Sequence, residues 1–484
     1  MNNRLGIKPT NHTWLLKFLT MGAVICFSIY LGASIAEHGK VQIRIIVLAV
    51  PFVFIWIQSL TDQKRFYLLL VGILLIAFQT QKLPFRLSMS ELILLGICFI
   101  HLPIVQLRAK SISKKEVRLF ILIPYCIFAA SGFVNGVING GISIAQQVTL
   151  VPLLWMYMAM CLVNSPDAAF KIIRVSVVAV LGCTFVLWFG NLMGFKITES
   201  LDQYRSVGES IRFGPFFFIY TPLRFATMNA LVVPSAVILL LRSKTLRGRI
   251  FYIFCLLLFN FLIFKASGRG AAIGGLFGAV FIASHFFRKN MAKGIIITTG
   301  IIFVAVMLSG IFGVTFIERL GLEKNKGRIN EIIAARLQTR NLQDRINTLS
   351  FTIKNTLENP IGNGFEYLWV NYQIDEAIIY SVLLNGTGII GFVAYTFMIG
   401  HLLLHFIMCF RKRFSEEQTD LAVLGIATLA CGLLAGISSE SVVWNEINPF
   451  IFWAILAACY GGTYTMSQTN QNRNSPKRTL RIQI

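Results

Sequence analysis

Charge is scarce in this chain, and negative charge is scarcest. Only 13% of the 484 residues are charged, with 21 Asp and Glu against 44 Lys and Arg. Together with 56% hydrophobic residues and a mean hydropathy of +0.70, this excludes a water-soluble domain and implies a polytopic membrane protein. A net charge of +23 would point to nucleic acid in a soluble protein. Here it has another source, because cytoplasmic loops of membrane proteins collect Lys and Arg; no nucleic acid is expected. Paired cysteines are also missing. The nine Cys lie in or beside apolar runs, without disulfide or zinc spacing, and read as small packing residues.

Long polar stretches are equally rare, and the exception is informative. Residues 315–376 contain too little continuous apolar sequence to span a bilayer, whereas both flanks are almost unbroken hydrophobic sequence. Fourteen spans are expected, at 14–35, 43–60, 66–79, 89–107, 117–134, 143–163, 170–195, 223–241, 250–264, 270–287, 294–314, 377–410, 421–437 and 447–466. The span at 66–79 is short. The one at 377–410 is too long for one straight helix, and Gly386, Gly388 and Gly391 are expected to break it. Ser34-Ile35-Ala36 faintly resembles a signal-peptidase site, but the preceding run is too long for a signal sequence. The reading is an all-α membrane domain over 1–466, carrying outer loops at 196–224 and 315–376. A polar tail at 467–484 is expected to be disordered.

With the N-terminus in the cytoplasm, alternation places 26 of the 44 Lys and Arg inside and 18 outside; 12 of the outer ones fall in the two long loops. The short loops therefore obey the positive-inside rule, with both termini cytoplasmic. Basic residues kept outside against that bias need another reason. The large loop balances eight basic against eight acidic residues, so its arginines suit a local anionic group better than a polyanion. Helical periodicity runs from Arg328 to Leu357, with Ile332, Ala335, Leu342, Ile346, Leu349 and Ile353 on one face and Pro360 as its stop. Such a helix is expected to lie against the membrane surface as a lid over the bundle. The alternative is an amphipathic helix with solvated charges and no ligand.

Three segments, in order, carry a resemblance: Ser267-Gly268-Arg269-Gly270-Ala271; Arg345-Ile346-Asn347 followed by Glu358-Asn359-Pro360-Ile361-Gly362-Asn363-Gly364-Phe365; and Asp375-Glu376-Ala377 leading to Leu384-Asn385-Gly386-Thr387-Gly388. Arg212-Phe213-Gly214-Pro215 is a weaker fourth. Over roughly Arg212 to Phe410 the chain resembles the O-antigen polymerase and O-antigen ligase superfamily of bacterial polytopic glycosyltransferases, whose fold is GT-C-like. The resemblance implies an inner-membrane enzyme with its site facing the periplasm. Donor and acceptor would be undecaprenyl-pyrophosphate-linked glycans, and a flippase and a chain-length regulator of the same pathway would be partners. The ligases carry a functional His near the end of this loop. None of the six His here lies between 315 and 376, and Asp375 and Glu376 occupy that end. This favours a polymerase, with a ligase as the alternative and a lipid-linked sugar flippase behind both.

A lipid-pyrophosphate leaving group needs fixed cations, and Arg holds phosphate oxygens bidentately. The candidates are Arg269, Arg345, Arg212, Arg205, Arg336 and Arg340. Arg269 lies between two glycines where a span begins, which suits an anion; a snorkelling Arg would look the same. Arg345 follows Asp344, so a local ion pair is its alternative. Asp375 is the candidate base, with Glu376 and Glu366 behind it; acids at a helix N-terminus are the plainer reading. The outer loops have no Asp-x-Asp, and no His-carboxylate cluster with ligand spacing occurs. Neither metal nor other cofactor is expected.

Overall fold

The computed structural model describes residues 118–139, 145, 148–149, 163, 165–192, 196–197, 209–213, 216–220, 222–265, 269–287, 340–365, 379–412, 415–438 and 451–463. Nine helices fall in this set: α1 Ile123–Asn139, α2 Pro166–Leu192, α3 Pro222–Arg242, α4 Leu246–Lys265, α5 Arg269–Phe286, α6 Arg340–Glu358, α7 Ile379–Lys412, α8 Glu416–Ser438 and α9 Ile451–Thr463. A π-helical turn, Arg118–Leu122, leads into α1. Five of the apolar segments are long enough to cross a membrane, and α5 and α9 are shorter apolar helices. The expected spans at 14–35, 43–60, 66–79, 89–107 and 294–314 lie outside the described residues, as does the tail.

One departure from an all-α reading stands in the loop at 196–224. Strands β1 Lys196–Ile197, β2 Glu209–Phe213 and β3 Phe216–Tyr220 form a small antiparallel sheet in the order β1-β2-β3. Phe213 pairs with Phe216, and Gly214-Pro215 lies between them in sequence. A Gly-Pro pair between two residue runs rich in aromatic and β-branched side chains is a hairpin signal, obscured here by the neighbouring spans.

The helices pack through small residues. In the absence of a hydrophobic drive between apolar helices, close backbone approach supplies the attraction. Gly274 and Gly278 of α5, four residues apart, turn one face to α8: a Cβ at Gly274 would lie 2.6 Å from the Cys431 carbonyl oxygen, and one at Gly278 3.2 Å from that of Ala427. On its other side α5 meets α3, with Gly275 against Ala230 and Gly278 against Pro234. An aromatic cluster ties three further helices together. Tyr125 stacks edge-on to Phe128 and Trp453, and Tyr395 packs on Phe128 and Trp453, joining α1, α7 and α9.

At one end of the bundle, N-caps start three helices: Ser165, Thr245 and Ser415 hydroxyls accept from the N–H groups of Ala168, Gly248 and Gln418, each at 3.2 Å. Arg242, at the end of α3, pairs with Asp420 and with Glu417 (3.2 Å) at the start of α8, and lies 4.2 Å over the Phe170 ring. His405 and Thr463 share a hydrogen bond of 2.9 Å there, and His401 stacks on Phe120. The opposite end gathers the beginnings of α5 and α7, the end of α8, and α6. Ile379 packs against Gly436, and the Tyr380 hydroxyl reaches the Leu433 carbonyl.

Candidate functional site

The segment after α6 is bolted into the bundle. Pro360 halts the helix as expected, and Asn359–Gly362 forms a turn closed by the Gly362 N–H donating to the Asn359 carbonyl at 2.9 Å. The Asn359 side-chain amide donates to the Gly362 carbonyl (3.0 Å) and to Asn363 Oδ1 (2.8 Å). Beyond the turn the backbone N–H groups of Asn363 and Gly364 donate to one carbonyl, that of Asn385, at 3.0 and 3.2 Å. The Ile389 N–H donates to the Pro360 carbonyl at 3.0 Å.

These partners exist because α7 is broken. Gly388 has φ 65° and ψ −172°, far from helix, within an otherwise helical run. The carbonyl of Asn385 and the N–H of Ile389, which would have paired in an unbroken helix, are left to the turn. A Cβ at Gly388 would fall on the Ile361 carbonyl, and one at Gly386 on the Phe365 ring. Gly362, at φ 102°, would press a Cβ to within 2.7 Å of the Asn385 oxygen. Glycine is needed at 362 and 388 for both backbone geometry and space. The break expected from Gly386, Gly388 and Gly391 is therefore present, at Gly388.

Helix α1 completes the clasp. Asn135 Nδ2 faces the carbonyls of Gly386 (2.9 Å), Asn385 (3.2 Å) and Ile361 (3.3 Å). Asn139 donates to Asn135 Oδ1 and lies 3.5 Å from the Gly362 carbonyl. One turn earlier, the Ser131 hydroxyl donates to the Thr387 carbonyl. Phe365 is fully buried beside Gly386 and Gly132. Sequence reasoning missed Asn135 and Asn139. Their signal was two amides four residues apart, on one helical face at the end of an apolar span.

Helix α6 packs on α7 with a polar face. Thr352 and Thr356 are its buried residues, whereas Ile346 and Ile353 are exposed. The face that meets the bundle is the hydroxyl face. The Thr356 hydroxyl is satisfied by the Thr352 carbonyl at 2.8 Å. Thr352 Oγ1 and Asn355 Nδ2 on α6, and Ser381 Oγ on α7, are buried without a hydrogen-bond partner among the described residues. Buried polar groups are nearly always paired, and each exception calls for an explanation.

The candidate residues are distributed as follows. Arg269 is the first residue of α5, at the same end of the bundle as α6 and the start of α7. Arg340 and Arg345 lie in the first two turns of α6, so the clasp holds their helix against the bundle. Arg212 lies in β2, in register with Phe217. Arg205, Arg336, Glu366, Asp375 and Glu376 lie outside the described residues. Glu366 directly follows the buried Phe365, and Glu376 and Asp375 lie three and four residues before the first residue of α7 in sequence.

No known protein-family model matches the chain, and no curated protein matches it.

Proposed function

We propose that this protein extends a polysaccharide by joining undecaprenyl-pyrophosphate-linked repeat units at the outer face of a bacterial inner membrane. The observation that carries the reading is the clasp. The Pro-Ile-Gly-Asn-Gly-Phe turn, the signature of the resemblance, is locked by backbone hydrogen bonds into the Gly388 break. This fixes a helix bearing Arg340 and Arg345 at the end of the bundle where α5 begins with Arg269. A glycan polymerase on this pattern would use Arg269 and Arg345 for the donor pyrophosphate, with Arg212, Arg205, Arg336 and Arg340 as further contacts. The acceptor hydroxyl oxygen bonds to the donor anomeric carbon as that carbon's bond to the pyrophosphate oxygen breaks. The electron pair leaves with the lipid pyrophosphate, whose growing charge the arginines offset. The acceptor proton passes to Asp375, with Glu376 or Glu366 in reserve.

The unpartnered Thr352, Asn355 and Ser381 suit a carbohydrate substrate, since a sugar presents many hydroxyls that pair with such groups. A ligase is the second reading, and the absence of His between 315 and 376 counts against it. Deleting the protein from its host separates the two. A polymerase predicts surface glycan limited to one attached repeat unit. Loss of all attachment, with long lipid-linked polymer accumulating, identifies a ligase, and an unchanged glycan ladder rejects both.

A further inference from the structure

Helix α6 has three faces. Thr352 and Thr356 are buried against the bundle, and Lys354 and Glu358 are exposed on a second, polar face. On the third, Ile346, Ile353 and Leu357 stand 48%, 45% and 68% exposed, at the spacing i, i+7 and i+11 that keeps one line along a helix. Ile361, 59% exposed in the turn that follows, prolongs the line.

A solvated apolar stripe of this length costs free energy unless something covers it. Its continuation shows what does. The Pro360 carbonyl holds the N–H of Ile389, and the Ile361 carbonyl fills the space beside Gly388. The next outward residue on α7 is Ile390, 65% exposed, followed by Val393, Phe397, Leu404 and Met408 along the same helix. These belong to a segment long and apolar enough to span a membrane, so their exposed side chains meet lipid. The turn that carries Ile361 thus touches α7 at Gly388 and Ile389, next to the first of the lipid-facing residues of that helix.

We infer that α6 lies in the headgroup–acyl boundary of the bilayer, with Ile346, Ile353, Leu357 and Ile361 in the lipid, the hydroxyl face on α7, and Lys354 and Glu358 in water. This is the arrangement of an interfacial amphipathic helix, with a third side committed to protein. The inference concerns the seating of the helix and holds whatever reaction the protein performs.

The test is photo-crosslinking in native-lipid vesicles. A benzophenone amino acid replaces Ile353, Leu357, Glu358 or Phe397 singly, and adducts of the full-length protein are identified by mass. Phospholipid adducts at 353 and 357, matching those at the lipid-facing 397 and absent at 358, are expected. Adducts at 353 and 357 to a second copy of the chain or to another of its own segments would overturn the inference. So would lipid capture at 397 with none at either 353 or 357.

Discussion

At the residue scale, two glycines and two asparagines determine whether the loop can meet the bundle. Gly388 holds a backbone geometry that an L side chain adopts only under strain, and its α-carbon faces the Ile361 carbonyl. Gly388→Val should cost more than the roughly 1–3 kcal/mol of a strained backbone alone, because the turn must also move. It should lower the unfolding temperature of the purified protein and abolish glycan extension while the chain still inserts. Asn135→Leu removes the only side-chain amide facing the Gly386, Asn385 and Ile361 carbonyls among the described residues. The Asn385 carbonyl keeps the Asn363 and Gly364 N–H groups; the Gly386 and Ile361 carbonyls each lose this donor, at about 1–3 kcal/mol for a carbonyl left dry, which a thermal-stability measurement in detergent reads. The proposed chemical groups behave differently. Arg269→Ala, Arg345→Ala and Asp375→Asn should each abolish or cut extension, by on the order of a hundredfold for the base, with the unfolding temperature held. Lys at either Arg position should restore only part of the activity, since it lacks the bidentate fork.

At the element scale, the seam between α6 and α7 carries the most informative prediction. Thr352 and Ser381 hide hydroxyls without partners, so Thr352→Val and Ser381→Ala remove a desolvation cost of about 1 kcal/mol or more each. Both should raise the unfolding temperature and lower extension activity, the pattern of polar groups kept for a ligand. Raised stability with unchanged activity would remove them from the site. Elsewhere stability is structural. Gly278→Leu should separate α5 from α3 and α8, because the added side chain has no room beside Pro234 and the Ala427 carbonyl. Arg242→Ala should cost about 3–5 kcal/mol by leaving the buried Asp420 carboxylate unpaired.

Elements differ in how readable they were. The stop at Pro360 and the break at the glycines of 386–391 follow from local backbone chemistry and were legible in the sequence. The pairing of β2 with β3 was not, because hydropathy dominates so apolar a chain and a Gly-Pro pair in sequence reads as an ordinary loop. The face by which α6 meets the bundle was not legible for a related reason. Periodicity identifies an apolar face but cannot say whether protein or lipid covers it, and here Thr352 and Thr356 took the protein side. Asn135 and Asn139 meet partners more than two hundred residues away, a juxtaposition no local pattern encodes.

At the scale of the whole molecule, the described helices alternate between two ends: one with Ser165, Arg242, Lys412 and Glu416, the other with α6, the clasp and the start of α5. On the charge bias of the sequence we propose that the first end faces the cytoplasm. Cysteine probes at 139 and 325 should therefore react with an impermeant reagent applied outside, and probes at 113 and 290 should not. The central claim is that the clasped outer end builds a glycan by transferring lipid-linked repeats. The most direct measurement is the length of the glycan carried on lipid after purified protein in vesicles meets undecaprenyl-pyrophosphate-linked repeat units, with chelator present. The account predicts growth beyond one repeat, one undecaprenyl pyrophosphate released for each unit added, and no growth with Gly388→Val. Glycan that stays at one repeat with the wild-type protein, or grows only when divalent metal is supplied, would contradict it.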